Sequence, residues 1–252
     1  MRSSHLSALI IALSALSSQA MAQMASEPAS TLSFNVGVVS DYRYRAIAQS
    51  SFKPAVQAGV DFAHKSGVYV GAWASNVSWI KDYVGATDGT TEIDLYGGYK
   101  GEITKDVLFD IGAITYQYPG NTADKVLANA NTTEVYAAVT VGAVTAKYSQ
   151  STSNFMANLD SKGSSYLELA ATFDLGNGFA LTPHVGRQSI PNQAGNAGDY
   201  TDYALTLAKD FGNGLTATLA LVNTDAKDVF YKVGTFDNLG RSGAVVGLKY
   251  TF

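Results

Sequence analysis

From Phe34 to the C-terminus, apolar and polar residues alternate with a period of two, the side-chain repeat of a β-strand half in and half out of water. The last ten residues show it most cleanly. Ala244, Val246, Leu248, Tyr250 and Phe252 share one face, and Val245, Gly247, Lys249 and Thr251 share the other. The same pattern predicts eleven earlier strands, at roughly 34–45, 54–64, 67–79, 91–100, 107–118, 133–141, 143–149, 164–174, 179–188, 200–211 and 214–223. In the first, Phe34, Val36, Val38, Tyr42 and Tyr44 form the apolar face, with Asp41, Arg43 and Arg45 opposite. The third (Tyr69 and Trp73 against Val68 and Val70) and the short seventh are the least regular.

The connections alternate as well. Short turns (64–67, 101–106, 142, 175–178, 212–214) lie between longer polar segments (46–53, 80–90, 119–132, 150–163, 189–199, 224–242). Short turns at one end and long loops at the other are the sequence form of an all-β transmembrane antiparallel up-and-down barrel. Twelve strands is an even number, so both termini are expected on the periplasmic, short-turn side. A soluble sandwich or barrel shares the alternation but turns its apolar face inward. Twelve strands enclose more room than apolar side chains readily fill, since about eight already suffice for a packed interior. Aromatics near the strand ends (Tyr42, Tyr44, Tyr99, Tyr116, Tyr118, Phe173, Tyr203, Phe211, Tyr250, Phe252) suit interfacial girdles.

Composition sharpens this reading. Of 252 residues, 46% are hydrophobic but only 15% charged, against about 25% charged in soluble domains. Residues 1–22 read as an export signal: Arg2, an apolar run from Leu6 to Leu16, and the Ala20-Met21-Ala22 cleavage site. A polar lead-in, 23–31, follows, with the barrel at 32–252. No cysteine is present, so stability rests on packing and hydrogen bonds. Net charge is −4 without a basic block, which disfavours nucleic acid as a partner.

Ser40-Asp41-Tyr42-Arg43-Tyr44-Arg45, Gln49-Ser50 and Lys53-Pro54-Ala55 resemble the TorF family, outer-membrane proteins described as porins from prediction. So do Gly67 to Trp79, Glu92 to Lys100, Asp110 to Gly120 and Tyr200 to Asp210. Ala46 and Ala48 depart from that family's usual Gly and Ser. The resemblance implies a bacterial outer-membrane location and a channel role, without a substrate.

If the apolar face meets lipid, ionised side chains turn inward, because Arg or Lys facing mid-bilayer costs about 2–4 kcal/mol. Candidate pore-lining residues are Asp41, Arg43, Arg45, Asp61, Glu92, Asp94, Lys100, Asp110, Glu134, Lys147, Glu168 and Lys249. Asp41, Arg43 and Arg45 are same-face neighbours near the outer mouth. Such residues either select small charged or polar solutes or pair with one another and fill the lumen. An enzyme is disfavoured. His64-Lys65-Ser66 falls in a short turn, His184 has no nearby Ser, and no base-oriented nucleophile is readable. No cofactor or metal motif occurs; Asp82 and Asp88 read as loop acids. Expected partners are outer-membrane lipid and lipopolysaccharide, small solutes, and the barrel-assembly machinery through the C-terminal strand. The alternative is a structural or adhesion barrel acting through its loops.

Overall fold

The structure, a computed structural model, describes residues 29–252. The expected export signal over 1–22 and most of the lead-in lie outside them. Twelve antiparallel strands run up and down in sequence order: β1 (Ser30–Val39), β2 (Ala55–His64), β3 (Val68–Asn76), β4 (Thr91–Thr104), β5 (Val107–Gln117) and β6 (Thr132–Val141). There follow β7 (Val144–Ser151), β8 (Ser165–Ala171 and Phe173–Gly176, parted at Thr172), β9 (Phe179–Ser189), β10 (Tyr200–Asp210), β11 (Leu215–Thr224) and β12 (Gly243–Thr251). Each pairs with the next, and β12 returns to β1, so the sheet has no free edge. Closure runs from Asn35↔Thr251 to Val39↔Gly247 and ends in mutual backbone bonds of 2.9 Å between Phe34 and Phe252. Those two rings stack at 5.9 Å, with Tyr250 5.8 Å beyond. A closed ring satisfies every strand's backbone groups internally, which a lipid-embedded sheet requires.

The alternation now has a direction. Leu32, Phe34, Val36 and Val38 are exposed on the outside of β1, and the same holds for Leu167 and Leu169 or Leu219 and Leu221 on the far side. Asp94, Glu134 and Asp202 are buried on the inside. Among the described residues, the outward strand positions carry two ionised side chains, each close to a rim. Arg187 lies near the end of β9 and Lys209 near the end of β10, the latter over the rings of Phe179 and Phe211. The belt between them is apolar, as a hydrocarbon surround demands.

At the short-turn end, Gly212, Asn213 and Gly214 all take positive φ (78°, 52°, 85°), a backbone region cheap for Gly and tolerated by Asn. Outward aromatics gather at this end: Phe173, Phe211, Tyr250, Phe252, and Tyr99 packed on Phe109.

Two expectations are corrected at the long-loop end. The first strand stops at Val39 rather than running to 45. Tyr42 and Tyr44, and also Tyr116 and Tyr118, belong to no interfacial girdle. All four are at most 4% exposed and pack inside with Trp79, Ile80, Phe155 and Ile190. The loops fold over and into the barrel mouth and form an apolar core there, because their own aromatics have no lipid to face. The seventh strand extends to Ser151, and Tyr69 and Trp73 of the third occupy its inward positions.

Candidate functional site

Residues 40–54 do not continue the wall. Arg43↔Ala48 and Tyr44↔Ile47 pair as a small hairpin, closed by the bond from Gln49 N to Tyr42 O at 2.7 Å. Its two tip residues, Arg45 (φ 48°) and Ala46 (φ 62°), both lie in the left-handed region, as a two-residue hairpin turn of this hand requires. Neither is Gly or Asn, so the tip costs of order 1–3 kcal/mol per residue and persists only where its surroundings hold it.

Those surroundings lie across the bore. The hairpin leaves the wall between β1 and β2, and Arg45 meets β6, β8 and β9, which stand on the opposite side of a twelve-strand ring. Its guanidinium makes a double contact with Glu134 (Nη1–Oε1 3.1 Å, Nη2–Oε2 2.7 Å) and donates to Gln188 Oε1 at 2.8 Å. It sits 4.2 Å from the Tyr166 ring centroid, 4.7 Å from that of Tyr44 and 5.7 Å from that of Phe155. Tyr44 and Tyr116 brace the same carboxylate, each donating to Glu134 Oε2 at 3.2 Å.

Arg43 works differently. It pairs with Asp41 at 2.5 Å and donates to the carbonyls of Ala46 (3.0 Å), Leu239 (3.1 Å) and Arg241 (3.0 Å), bolting the hairpin to loop 225–242. Burial pushes the Asp41 carboxyl up and the Arg43 guanidinium down, outweighing their mutual attraction. The sequence places Asp41, Arg43 and Arg45 together; the structure joins the first two and sends the third to another wall.

The remaining candidates sit on inward strand positions. Glu92 Oε1 accepts from Tyr42 at 3.0 Å. Asp94 is buried beside it, and among the described residues Glu92 Oε2 and Asp94 Oδ1 have no hydrogen-bond partner. Deeper towards the short turns, Asp61 accepts from Tyr96 and Asp110 from Tyr69 at 2.6 Å, while Lys100 lies 5.6 Å from the Tyr69 ring centroid. Lys147 lies 3.8 Å from Glu168 and 4.6 Å from the centroid of the Tyr136 ring, and Lys249 projects from β12 near its end. A second cluster was not foreseen. His184 is held between Glu168 (3.1 Å) and Asp202 (3.4 Å), and Tyr166 donates to Asp202 at 2.9 Å. Its one available signal was that His184 and Asp202 share the polar parity of their strands.

Four inward tyrosines lie flat on glycines of neighbouring strands. Tyr96 covers Gly71, Tyr69 covers Gly98, Tyr136 covers Gly112 and Tyr166 covers Gly186, where a Cβ would overlap each ring or hydroxyl. Laid along the wall, these rings leave the bore less obstructed than rings standing into it. His64 Nδ1 is 2.8 Å from Ser66 Oγ in an exposed short turn. Asp82 accepts from Ser51 at 2.7 Å, and Asp88 accepts from Gly89 N at 2.8 Å. Among the described residues, no group of three or more His, Asp or Glu side chains is arranged to hold a metal ion.

The Glu92–Asp94 pair gives a direct prediction. Both carboxylates are at most 2% exposed, point inward two positions apart and have no basic partner among the described residues. Replacing Asp94 by Asn keeps the shape and removes one charge. We expect it to stabilise the fold by about 1–3 kcal/mol of relieved burial cost, read as a raised unfolding midpoint in detergent. A lowered midpoint would show that the wall needs both charges.

A model of a family described as bacterial proteins of unknown function (Gcw_chp) matches residues 22–252. That is the family shown; the TorF name rests on the residue resemblance alone. No curated protein matches the sequence. Among solved structures, the barrel is similar to the KdgM porin in complex with disordered oligogalacturonate, at 7% identity and a TM-score of 0.55. It is also similar to the NanC porin, at 12% identity and a TM-score of 0.52. Each alignment covers 88% of this chain and 99% of the other. At such identities the likeness is one of fold.

Proposed function

The chain belongs to the Gcw_chp family of bacterial proteins of unknown function, and from the architecture of its barrel we propose that it is an outer-membrane channel for passive diffusion of small charged or polar solutes. One observation carries this reading: an apolar belt surrounds an interior lined by ionised side chains of both signs. Lipid contact explains the first and water the second. In this orientation the short turns and both termini face the periplasm, the loops face outward beside lipopolysaccharide, and the terminal Tyr250-Thr251-Phe252 is read by the assembly machinery. The export signal over residues 1–22 delivers the chain to that machinery.

The lumen is unequal along its length. Towards the short turns it is lined by Asp61, Lys100, Asp110, Lys147 and Lys249 over flat tyrosines. Towards the loops, the hairpin and its apolar neighbours fill it. The protein therefore conducts through a bore that the 40–54 segment narrows. Reconstitution of the full mature chain in planar bilayers tests the reading. Ion conduction is expected, and replacing Arg43 and Arg45 together by Ala should shift the reversal potential in a salt gradient towards cation preference. Silent bilayers from folded protein would remove the channel reading; an unshifted potential would move the selective constriction elsewhere.

A further inference from the structure

The wall that receives Arg45 has the make-up of a ligand site. Its carboxylate meets the guanidinium in a two-point contact of 2.7 and 3.1 Å, Gln188 adds a neutral acceptor at 2.8 Å, and the face of Tyr166 covers the cation at 4.2 Å. Two-point carboxylate pairing and an aromatic face are the recognised means of binding planar organic cations. The wall parts belong to β6, β8 and β9, whereas the cation arrives on a hairpin from the opposite side, tipped by two non-glycine residues at positive φ. The charges are divided in the same way. The lumen wall presents Glu92, Asp94, Glu134, Glu168 and Asp202, all buried, with Lys147 and His184 beside Glu168, while the hairpin supplies Arg45 and an Arg43 already paired with Asp41. Among the described residues Glu92 Oε2 and Asp94 Oδ1 have no hydrogen-bond partner, and Asp94 lies opposite Tyr116, which itself bonds Glu134.

We propose that Glu134, Gln188 and Tyr166 form a binding site for solutes bearing a guanidinium or primary ammonium group, with Arg45 as its tethered occupant. This deepens the channel reading and rests on it for its physiological use. A cationic solute reaching the wall competes with Arg45 for Glu134. Once it wins, the strained tip loses its contacts to Glu134 and Gln188, and the Arg45 side chain withdraws from the wall. Arg45 thus neutralises Glu134 when no solute is present and yields to a solute of its own chemistry.

The test separates the site from the channel. The Arg45→Ala barrel is refolded in detergent, and its unfolding midpoint is followed with millimolar methylguanidinium or its neutral isostere methylurea. Methylguanidinium should raise the midpoint at about tenfold lower concentration than methylurea. The wild type, its site occupied, should respond much less, and adding Glu134→Gln to Arg45→Ala should abolish the difference. Equal responses to the two probes, or a difference that survives Glu134→Gln, would overturn the assignment. If Arg45→Ala does not fold, unmodified protein in bilayers decides: methylguanidinium should increase its conductance where methylurea does not, and equal effects reject the site. Bilayers silent under every condition would remove the channel and, where Arg45→Ala does not fold, the site with it; where that variant folds, its melting judges the site independently.

Discussion

Excising the hairpin tip, with residues 41–52 replaced by a short Gly-Ser linker, is expected to raise single-channel conductance about threefold or more, since flux follows the open cross-section at the narrowest point. Val39 and Ala55 already pair across β1 and β2, so a short linker joins the strands without strain. The deleted segment is what crosses the bore. It carries Tyr42 and Tyr44 into the apolar core at the mouth and Arg45 to the far wall. Its removal leaves Glu134 buried without a cation, so the variant should also carry Glu134→Gln, because an unpaired buried charge can cost about 3–5 kcal/mol. The barrel's ring of backbone pairs is untouched. An unchanged conductance from a folded variant would mean that the remaining loop core, around Trp79, Phe155 and Ile190, sets the constriction instead.

The second large effect belongs to Arg43. Its side chain is buried and serves Asp41 and three carbonyls at once, so Arg43→Ala leaves a buried carboxylate alone and strips the hairpin of its link to loop 225–242. Breaking a buried pair from one side costs about 3–5 kcal/mol. Because the loss falls on the hairpin rather than the wall, it should appear as local opening. Hydrogen exchange at the hairpin amides, such as Gln49 N bonded to Tyr42 O, should accelerate by about 10²–10⁴-fold, while amides of the β1–β2 ladder keep their protection. Arg43→Lys should not restore the hairpin, since one ammonium cannot reproduce the planar fork that reaches all four acceptors. Unaltered exchange at residues 42–49 would show that apolar packing alone holds the hairpin in place.

Together these variants assign different work to two arginines that look equivalent as text. Arg43 fastens the hairpin to its own side of the mouth, and Arg45 engages the opposite wall. Losing Arg43 should loosen the segment without altering the wall site. Losing Arg45 should vacate that site while the Arg43 contacts persist.

Much of the barrel was legible in the one-dimensional pattern. Alternation such as Leu167 and Leu169 against Tyr166 and Glu168 names the wall strands and their faces, because a strand between lipid and water must repeat every two residues. The alternation of short turns with long loops names the ends. What the pattern could not convey was the fate of residues 40–54. The arms of a hairpin in the lumen alternate just as a wall strand does, so Tyr42 and Tyr44 read as lipid-facing. The turn at Arg45-Ala46 lacks the Gly or Asn that marks such a reversal, since its positive φ values are held by contacts to Glu134 and Gln188 more than eighty residues away. Local sequence thus determined the closed ring and its inside-out polarity, where the choice depends on nearest neighbours in a strand and on the surrounding solvent. The tertiary structure alone decided which charges meet across the bore, because those partners come from opposite walls and no local repeat relates them.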